Sequence, residues 1–386
     1  MERSPGLDNW AKRRFFASTT VKFRASPAEG GCMGWFPVDP QFVTPEWLCE
    51  VLGGEVRACR LEQIGIGVGL LGRIYRVHLE GTNIPASVVV KMPTLDQQAR
   101  TALGEDLELY LKEVRFYQEI GESNPLPPAH PYYAAIDEST HDFILVLEDL
   151  QRLRVADQTI GCTPGDAETV VDAVARQHAY WWESDRLSTV PWLRPYATPP
   201  LPAVLAANAK AAWPRFLELV GAGLSSKLRD FGQRLPSLIP WYLEQISRPP
   251  CTFIHGDLRL DQLFFATGPG DPPVTALDWQ VTQLGRGAFD MAYFISQSLT
   301  TETRRSCEAA LIERYIGRLA ETGINYPASE LQRDYRLTTA MCLIYPLLVA
   351  GRIEVVNDRH LELLHTMASG AAAAIEDHDA LALRPD

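Results

Sequence analysis

The sequence lacks several features by which familiar classes of protein are recognised. Its seven cysteines include no C-x-x-C pair and no spacing with histidine that suits zinc, so a zinc site is not predicted. We expect most of these cysteines to be buried thiols in a reducing compartment. The sequence also has no G-x-S-x-G motif, which leaves a serine hydrolase without support, and no repeat of fixed period.

Long apolar runs and a surplus of positive charge are missing as well. No stretch reaches the length of a membrane span, and the charged N-terminus has no apolar run of the kind found in signal peptides, so we expect a cytoplasmic protein without a membrane partner. Lys and Arg total 36 against 48 Asp and Glu, which gives a net charge of -12. An acidic chain repels nucleic acid and anionic membranes, so neither is an expected partner.

The composition and the hydrophobic pattern predict a folded protein of two main lobes. The chain has 386 residues, of which 46% are hydrophobic and 22% charged, as in ordinary globular proteins. Residues 1–40 show no clear period and are interpreted as an N-terminal extension. In residues 41–150, the segments RIYRVHLEG, ASVVVKM, YYAAIDE and DFILVLEDL predict antiparallel strands. Residues 151–386 are mostly helical. The predicted fold class is therefore α+β, with a small antiparallel-sheet lobe followed by a large, mainly helical lobe.

A glycine-rich segment lies between two of the predicted strands. Gly67, Gly69 and Gly72 fit G-x-G-x-x-G, a pattern that two unrelated nucleotide-binding designs use. In the dinucleotide-binding fold a helix begins within this run, whereas here a strand follows, which disfavours an NAD-type enzyme. A glycine turn between antiparallel strands covers the ATP phosphates in kinases, although a plain flexible hairpin has the same local sequence.

Two charged residues follow the glycine segment in the order that a kinase needs. Lys91 ends a predicted strand and Glu113 lies on the next predicted helix, so the lysine can hold ATP phosphates while the glutamate holds the lysine. A lysine or a glutamate at such a position is more often a solvated surface residue. The order of glycine segment, lysine and glutamate along the chain favours the kinase role for both residues. Glu148 and Leu150 follow the apolar run FILVL, where the two lobes would join, and the backbone there is expected to pair with the adenine edge.

The segment FIHGDLRLDQLFF, residues 253–265, places polar residues between two apolar runs. Catalytic groups favour loops that are held from both sides in this way. Asp257 is the candidate base that accepts the proton of an attacking hydroxyl, whereas Gln262 and Asp278, further along the chain, are candidate Mg²⁺ ligands. His255 is interpreted as a structural hydrogen-bonding residue.

Taken together, these motifs resemble those of the aminoglycoside phosphotransferase and choline kinase-like proteins, with the ecdysteroid-kinase-like branch nearest. The resemblance covers roughly residues 44–348 and depends on GIGVGLLGRIYRV, VVVKM, LKEVRFYQEIG, LVLEDL, VARQHAYWW, IHGDLRLDQLFF and ALDWQVTQLGRGAFDMAYFI. It implies a protein-kinase-like fold, ATP and Mg²⁺ as cofactors, and the hydroxyl of a small molecule as phosphate acceptor. The choice among aminoglycoside, choline-like amine, sterol and sugar stays open, as does the oligomeric state.

The resemblance also implies a role for each matching residue. Asp257 becomes the catalytic base, Asp278 and position 262 the metal ligands, and Lys91 the phosphate-binding lysine. Asp290, in GRGAFDMAYF, becomes the carboxylate that braces the catalytic loop. The family pattern has Asn where this sequence has Gln262, and the additional methylene moves the amide oxygen that Mg²⁺ would need. A pseudokinase, which binds nucleotide without transferring phosphate, is therefore the alternative function.

Aromatic residues near these motifs are interpreted mainly as core. His178, Trp181 and Trp182 lie in ARQHAYWW, and residues at such helical spacing pack in the interior far more often than they form a ligand cage. Trp279, next to Asp278, is the only residue in the motifs that suits a cage around a quaternary ammonium.

Overall fold

The alternating segments of the first lobe form one antiparallel sheet. The computed structural model describes residues 35–65, 72–96, 100–101, 108–352 and 358–383. The strands of this sheet are β1 (Glu55–Ile64), β2 (Gly72–Thr82), β3 (Ser87–Pro93), β4 (Pro131–Asp137) and β5 (Asp142–Glu148). They pair in the order β1-β2-β3-β5-β4, and every pair is antiparallel, which confirms the predicted sheet. Gly67, Gly69 and most of the N-terminal extension lie outside the described residues.

Helix α1 (Pro45–Leu52) packs on this sheet and has an ordinary cap at each end. The Thr44 side chain accepts a hydrogen bond from the Trp47 N–H, and Gly53 ends the helix in the left-handed region at φ 71°. Helix and sheet share a buried cluster that includes Trp47, Leu48, Val77, Val88 and Val90. This packing fixes the position of β3, the strand that carries Lys91.

Glu113 lies on a helix, as the sequence predicts, but that helix is short. Three segments follow one another here: helix α2 (Leu109–Arg115), a π-helix (Phe116–Ile120) and a 3₁₀ turn (Gly121–Ser123). The first π-helical residue, Phe116, stacks on Trp279 of the second lobe with ring centroids 4.1 Å apart. The helix thus changes from α to π at the residue that contacts the second lobe. Tertiary packing outweighs the local helical pattern here.

The second lobe is mainly helical, as the sequence predicts. Its helices are α3 (Pro164–Trp181), α4 (Asp185–Ser188), α5 (Leu201–Val220), α6 (Ser226–Ile246), α7 (Ala288–Ser298), α8 (Thr301–Glu321), α9 (Ala328–Met341), α10 (Ile344–Arg352) and α11 (Asp358–Asp377). Five short strands accompany them: β6 (Arg154–Val155), β7 (Thr252–Ile254), β8 (Leu263–Phe265), β9 (Val274–Ala276) and β10 (Gln283–Gly285). Strand β7 pairs with β10, and β8 pairs with β6 and β9. These pairs hold the HGD segment from both sides.

The cysteines are less buried than the sequence led us to expect. The six described cysteines are free thiols, and of these only Cys162 and Cys342 are fully buried. The expectation that most are buried is therefore wrong. Cys59, for example, lies on β1, which is an edge strand of the sheet.

None of the described helices is both long and apolar enough to cross a membrane. The lobe boundaries near residues 40 and 150 stay predictions.

Candidate active site

Lys91 and Glu113 meet in the cleft between the lobes. Lys91 lies on the central strand β3, where the register pairs it with Ile74 of β2 and Leu145 of β5. Its Nζ lies 2.8 and 2.7 Å from the two carboxylate oxygens of Glu113, and 3.1 Å from Oδ1 of Asp278. One cation is therefore shared by carboxylates from both lobes.

Burial and neighbouring charges set the ionisation of these three residues. Burial lowers the pKa of Lys91, but the carboxylates of Asp278 and Glu113 outweigh it and raise that pKa above its ordinary value. Burial raises the pKa of Glu113, with Lys91 opposing this and Asp278 adding to it. An ammonium group between two carboxylates stays charged, so Lys91 places a positive charge in the cleft.

The loop between β7 and β8 is held in place by Asp290. This carboxylate on helix α7 accepts hydrogen bonds from the backbone N–H groups of His255, at 2.8 Å, and Gly256, at 2.9 Å. His178 of helix α3 lies beside it, with Nε2 3.2 Å from Oδ2 of Asp290. The His255 ring contacts the backbone oxygen of Leu277 at 2.9 Å. His255 and Asp290 thus bind the loop to its surroundings.

Gly256 lies at the tightest point of this loop. Its φ is 86°, which disfavours residues with a side chain. A Cβ atom here would lie 2.5 Å from the backbone oxygen of Val281 and 2.9 Å from the Tyr196 hydroxyl. The glycine of the HGD motif is therefore a backbone requirement, and it lets the loop direct Asp257 into the cleft.

The structure brings Asp257, Gln262 and Asp278 together. Gln262 Nε2 lies 3.4 Å from Oδ2 of Asp257 and 3.2 Å from Oδ2 of Asp278. Asp278 has a left-handed backbone, with φ 63° and ψ 65°, a conformation that Asp and Asn tolerate better than most residues. All three side chains line one cavity, so the residues assigned to proton transfer and to metal binding are neighbours in space.

Arg259 is a residue of this site that the sequence interpretation missed. Its Nε lies 3.3 Å from Asp257, and its Nη1 lies 2.6 Å from Asp261 and 2.8 Å from Gln158 Oε1. Burial raises the pKa of Asp257, the Arg259 guanidinium opposes this, and Asp278 adds to it. The available signal was the position of Arg259 in the HGD segment, two residues after Asp257.

The carboxylates and the amide suit a magnesium ion that is bound jointly with phosphates. Mg²⁺ is commonly held by one or two carboxylates together with substrate phosphate oxygens. Within the described ranges, no group of three or more His, Cys, Asp or Glu side chains could hold a metal by itself. Gln262 would present its oxygen to the ion after a half-turn of its amide, since the amide carries one acceptor and one donor group.

The segment expected to meet adenine lies in the same cleft. Glu148 and Leu150 both line the cavity. The N–H of Glu148 donates to the backbone oxygen of His130 at 2.8 Å, so this donor is already used. Asp149 is held by Arg76, whose Nε lies 2.7 Å from its carboxylate. The segment therefore lies in the cleft as expected. A backbone hydrogen bond to adenine would have to come from backbone groups of the segment other than the N–H of Glu148.

A cavity of about 780 Å³ extends from the cleft between the lobes into the interior of the second lobe. Beyond Asp257 its wall is mostly apolar and includes Leu201, Leu205, Phe289, Met341, Ile344 and Leu348. Among the described lining residues, helices α5, α9, α10 and α11 contribute no Asp or Glu. The wall beyond Asp257 thus differs sharply in character from the charged part of the cavity around Lys91 and Asp278.

The aromatic residues of the motifs lie in the core. Trp279 is completely buried, stacked on Phe116 with ring centroids 4.1 Å apart and near Phe253 at 5.9 Å. The expectation that Trp279 could form a cage around an ammonium group is therefore wrong, because its ring faces have packing partners. His178 and Trp181 are buried as well, as the sequence predicts.

Comparison with known proteins agrees with this architecture. The model of the Ecdysteroid kinase-like family matches residues 205–325. A candidate aminoglycoside phosphotransferase from Ralstonia eutropha JMP134 is 18% identical, with 89% of this chain and 98% of that chain covered and a TM-score of 0.53. A choline kinase from Cryptosporidium parvum is 11% identical, with 84% of this chain and 91% of that chain covered and a TM-score of 0.53. The GDP complex of an aminoglycoside 2′-phosphotransferase-IIIa variant is 14% identical, with 84% of this chain and 94% of that chain covered and a TM-score of 0.52. No curated protein matches the sequence significantly.

The structural likeness extends over most of the chain and confirms the fold class. The structures compared have the protein-kinase-like fold, and the antiparallel-sheet lobe and mainly helical lobe described above reproduce it. The resemblance that the motifs predict is therefore confirmed in the family match and in the fold. This chain is thus a two-lobed, protein-kinase-like protein that resembles the small-molecule phosphotransferases.

Proposed function

We propose that the protein transfers a phosphoryl group from ATP to the hydroxyl of a small molecule, with Mg²⁺ as cofactor. The observation that carries this proposal is the contact of Lys91 with Glu113 and Asp278, at 2.7 and 3.1 Å. It joins a phosphate-binding cation to a metal-binding carboxylate across the cleft, next to Asp257 in the same cavity. Phosphoryl transfer depends mainly on positioning and charge, and this arrangement supplies both.

In this proposal each residue has a distinct role. Lys91 binds phosphate oxygens, and Glu113 holds Lys91 in place. Asp278 and Gln262 would hold Mg²⁺, which when bound offsets the negative charge on the phosphates. Asp257 orients the acceptor hydroxyl and takes its proton. Because burial raises the pKa of Asp257, this carboxylate is a better proton acceptor than an exposed aspartate.

The acceptor that fits best is an alcohol with a mostly apolar body. The wall beyond Asp257 is apolar, and the described lining residues of α5 and α9–α11 include no carboxylate that would match the positive charges of an aminoglycoside. A quaternary ammonium would need an aromatic cage, and Trp279 is buried in the core. Of the four acceptor classes that the sequence leaves open, the cavity favours the sterol class.

A nucleotide-binding module without phosphate transfer is the second candidate function. Gln262 directs Nε2 toward both Asp257 and Asp278, whereas a metal ligand at this place has to present oxygen. A protein that keeps this arrangement would bind nucleotide and turn it over poorly. The two candidates therefore differ in turnover and agree on nucleotide binding.

Thermal unfolding with and without Mg²⁺ and ATP tests nucleotide binding. A ligand that binds only the folded state stabilises it by about 2.7 kcal/mol at a hundred times its dissociation constant, so we expect a clear rise in the unfolding temperature. Asp278→Asn should lose the Mg²⁺-dependent part of the rise while tolerating the left-handed backbone. Asp230→Asn, at an exposed position on helix α6, is the control and should keep the full rise.

Release of ADP in the presence of acceptors separates the two candidate functions. A sterol alcohol should stimulate ADP release, and neither an aminoglycoside nor choline should do so. No stabilisation of the native chain at millimolar ATP would contradict both functions. Stabilisation by ATP without stimulation by any of these acceptors would favour the nucleotide-binding module.

A further inference from the structure

Arg259 has a fixed place in the wall of the cavity between the lobes. Its neighbours in the chain, Leu258 and Leu260, are completely buried, and the N–H of Gln262 donates to its backbone oxygen at 2.9 Å. Two buried leucines and a turn thus hold the backbone from which the guanidinium extends. The side chain itself is 13% exposed and lines the cavity.

Three of the five N–H donors of Arg259 are used within the protein. Nε donates to the Asp257 carboxylate at 3.3 Å, and Nη1 donates to Asp261 at 2.6 Å and to Gln158 Oε1 at 2.8 Å. A guanidinium has one donor on Nε and two on each terminal nitrogen. The two donors on Nη2 have no hydrogen-bond partner among the described residues, and Nη2 is not closed off from solvent. One side of the guanidinium is therefore left for a ligand.

The negative charge around Arg259 bears on what that ligand is. Burial lowers the pKa of Arg259, whereas Asp257, Tyr293 and Asp261 raise it, and the net change is upward. The guanidinium therefore stays charged. A phosphate group that comes close to Asp257 and Asp261 would be repelled by these carboxylates unless a cation contacts it as well. Arg259 is a cation already fixed at this place.

Asp257 determines where the transferred phosphoryl group has to lie. In the proposed reaction this carboxylate holds the acceptor hydroxyl, and the phosphorus under attack has to come within about 3–3.5 Å of the hydroxyl oxygen. Of the described cations that line the cavity, only Arg259 contacts Asp257. Lys91 contacts Asp278 instead, at 3.1 Å. One cation thus lies beside the proposed base and the other beside the proposed metal ligand.

We propose that Arg259 binds the γ-phosphoryl group of ATP through Nη2, an inference that rests on the nucleotide binding of the proposed function. The planar fork of an arginine can hold a phosphate oxygen with one nitrogen while its other nitrogens stay on carboxylates. A lysine has a single nitrogen and cannot make all of these contacts. Because ADP lacks the γ-phosphate, the contact distinguishes ATP from ADP.

The same contact serves the transfer step. The acceptor oxygen forms a bond to the γ-phosphorus while the bond from that phosphorus to the β–γ bridging oxygen breaks. The electron pair of the broken bond leaves with ADP, and the hydroxyl proton passes to Asp257. Arg259 keeps all its protons and stays on an equatorial oxygen of the phosphoryl group, where negative charge is spread during transfer.

Two nucleotides that differ in the γ-phosphate test the proposal on the full-length protein. They are ADP and the non-hydrolysable ATP analogue AMP-PNP, each titrated calorimetrically with Mg²⁺ and without acceptor. Wild type should bind AMP-PNP about tenfold more tightly than ADP, since a hydrogen bond between charged groups is stronger than a neutral one. Arg259→Gln should bind AMP-PNP about tenfold more weakly than wild type and keep its ADP affinity within about twofold.

Arg259→Lys separates a specific phosphate contact from a mere supply of positive charge. Lysine keeps the charge that balances Asp257 and Asp261, but it has no second terminal nitrogen to take the place of Nη2. It should bind AMP-PNP about threefold to tenfold more weakly than wild type. Full wild-type affinity for AMP-PNP in this variant would overturn the proposal.

Arg314→Gln is the matched control. Arg314 is also paired with a carboxylate, its Nε lying 2.7 Å from Oδ1 of Asp172, but it does not line the cavity. The substitution should leave the affinity for both nucleotides unchanged. An Arg259→Gln variant with unchanged AMP-PNP affinity, or with equal losses for AMP-PNP and ADP, would overturn the proposal. Should that variant not fold, wild type and Arg259→Lys decide.

Failure of the proposed function gives a different result from failure of this inference. If wild type bound neither nucleotide, nucleotide binding itself would be overturned, and the role of Arg259 with it. If wild type bound AMP-PNP and ADP equally well, the nucleotide site would stand and only the role of Arg259 would be overturned.

Discussion

The amide of Gln262 lies between the two carboxylates of the site. Its Nε2 is within 3.4 Å of Asp257 and 3.2 Å of Asp278, while its backbone belongs to a 3₁₀ turn, Leu260–Gln262. The additional methylene, relative to the Asn of the family pattern, therefore gives the amide enough reach to contact both carboxylates. The side chain therefore contacts both the proposed metal ligand, Asp278, and the proposed catalytic base, Asp257.

We expect Gln262→Asn to weaken Mg²⁺ binding in the presence of ATP about tenfold, because a shortened side chain loses contact with both carboxylates. The measurement is a Mg²⁺ titration at fixed ATP, followed by the unfolding temperature. Gln332→Asn, at an exposed position, should behave as wild type. Tighter Mg²⁺ binding with faster ATP consumption would contradict this expectation and show that Gln262 impairs transfer, as in a pseudokinase.

Lys112 is a second buried cation at the cleft, only 4% exposed. Burial lowers its pKa from 10.5 to about 8, with Glu108 opposing and Arg194 adding to the change. Below pH 8 the lysine is protonated in the folded and the unfolded chain, so the full cost of burying its charge is present. Between pH 8 and 10.5 the unfolded chain binds more protons than the folded chain, and the free energy of unfolding therefore rises with pH.

Lys112→Met should stabilise the protein at pH 7 and lose most of this advantage near pH 10. The lowered pKa corresponds to about 3 kcal/mol. The substitution also removes a hydrogen bond from Lys112 Nζ to the side-chain oxygen of Gln283. These atoms lie 2.6 Å apart when the Gln283 amide is oriented to donate to the backbone oxygen of Arg194. This loss removes about 1 kcal/mol of the gain. Chemical denaturation at both pH values provides the measurement, with Lys227→Met, at an exposed position, as the control. A variant less stable than wild type at pH 7 would refute the argument.

Site residues that share a short segment could be predicted from the sequence, and residues from distant elements could not. His255, Asp257 and Gln262 lie in one loop, where chemistry and spacing are visible together. Tyr293 of helix α7 interacts with Asp257, but this has no local signal, because a tyrosine in an apolar helix has the pattern of an ordinary core residue. Arg259 was visible in the motif, but its ion pairs depend on how the loop folds.

At the scale of elements, long periodic segments were predictable and short or strained ones were not. Strand β2 alternates polar and apolar residues, and β5 is a continuous apolar run, so both patterns are local. Strand β6, with two residues, and β10, with three, are too short to show a period. The π-helix at Phe116–Ile120 follows a helical sequence, but its aromatic residues pack against another lobe, and no local propensity encodes that contact.

The aromatic stack is also the physical link between the two halves of the site. Phe116 follows the helix that carries Glu113, and Trp279 follows Asp278 directly. Their rings are nearly parallel, 11° apart, at 4.1 Å between centroids. The position of Glu113 relative to Asp278 therefore depends on a packed core contact as well as on their shared cation, Lys91.

At the scale of the whole molecule, one face of the first lobe's sheet packs into the core of the second lobe. Strand β5 divides its side chains between two clusters. Ile144 and Val146 pack with helix α1 and the sheet. The residues on the other face, Phe143, Leu145 and Leu147, belong to the cluster that fills the second lobe. Helix α2 belongs to that larger cluster too, so the apolar core of the second lobe continues into the first lobe.

A fragment of residues 41–150, the first lobe alone, should therefore show no cooperative unfolding. Without the second lobe, one face of β5 and the apolar side of helix α2 would be exposed to water, and small domains depend on burying most of their apolar surface. Far-UV circular dichroism on heating measures this, with the full chain as the control. The full chain should unfold in one transition when followed by circular dichroism and by tryptophan fluorescence.

A sigmoidal melt of the fragment, or two separate transitions in the full chain, would show that the lobes are independently stable. The expected single transition has a consequence for ligand binding. Because α2 and β5 are anchored in the core of the second lobe, a nucleotide that binds at Lys91 and Asp278 contacts groups from one cooperative unit. Its binding free energy should then raise the unfolding temperature of the whole chain rather than that of the first lobe alone.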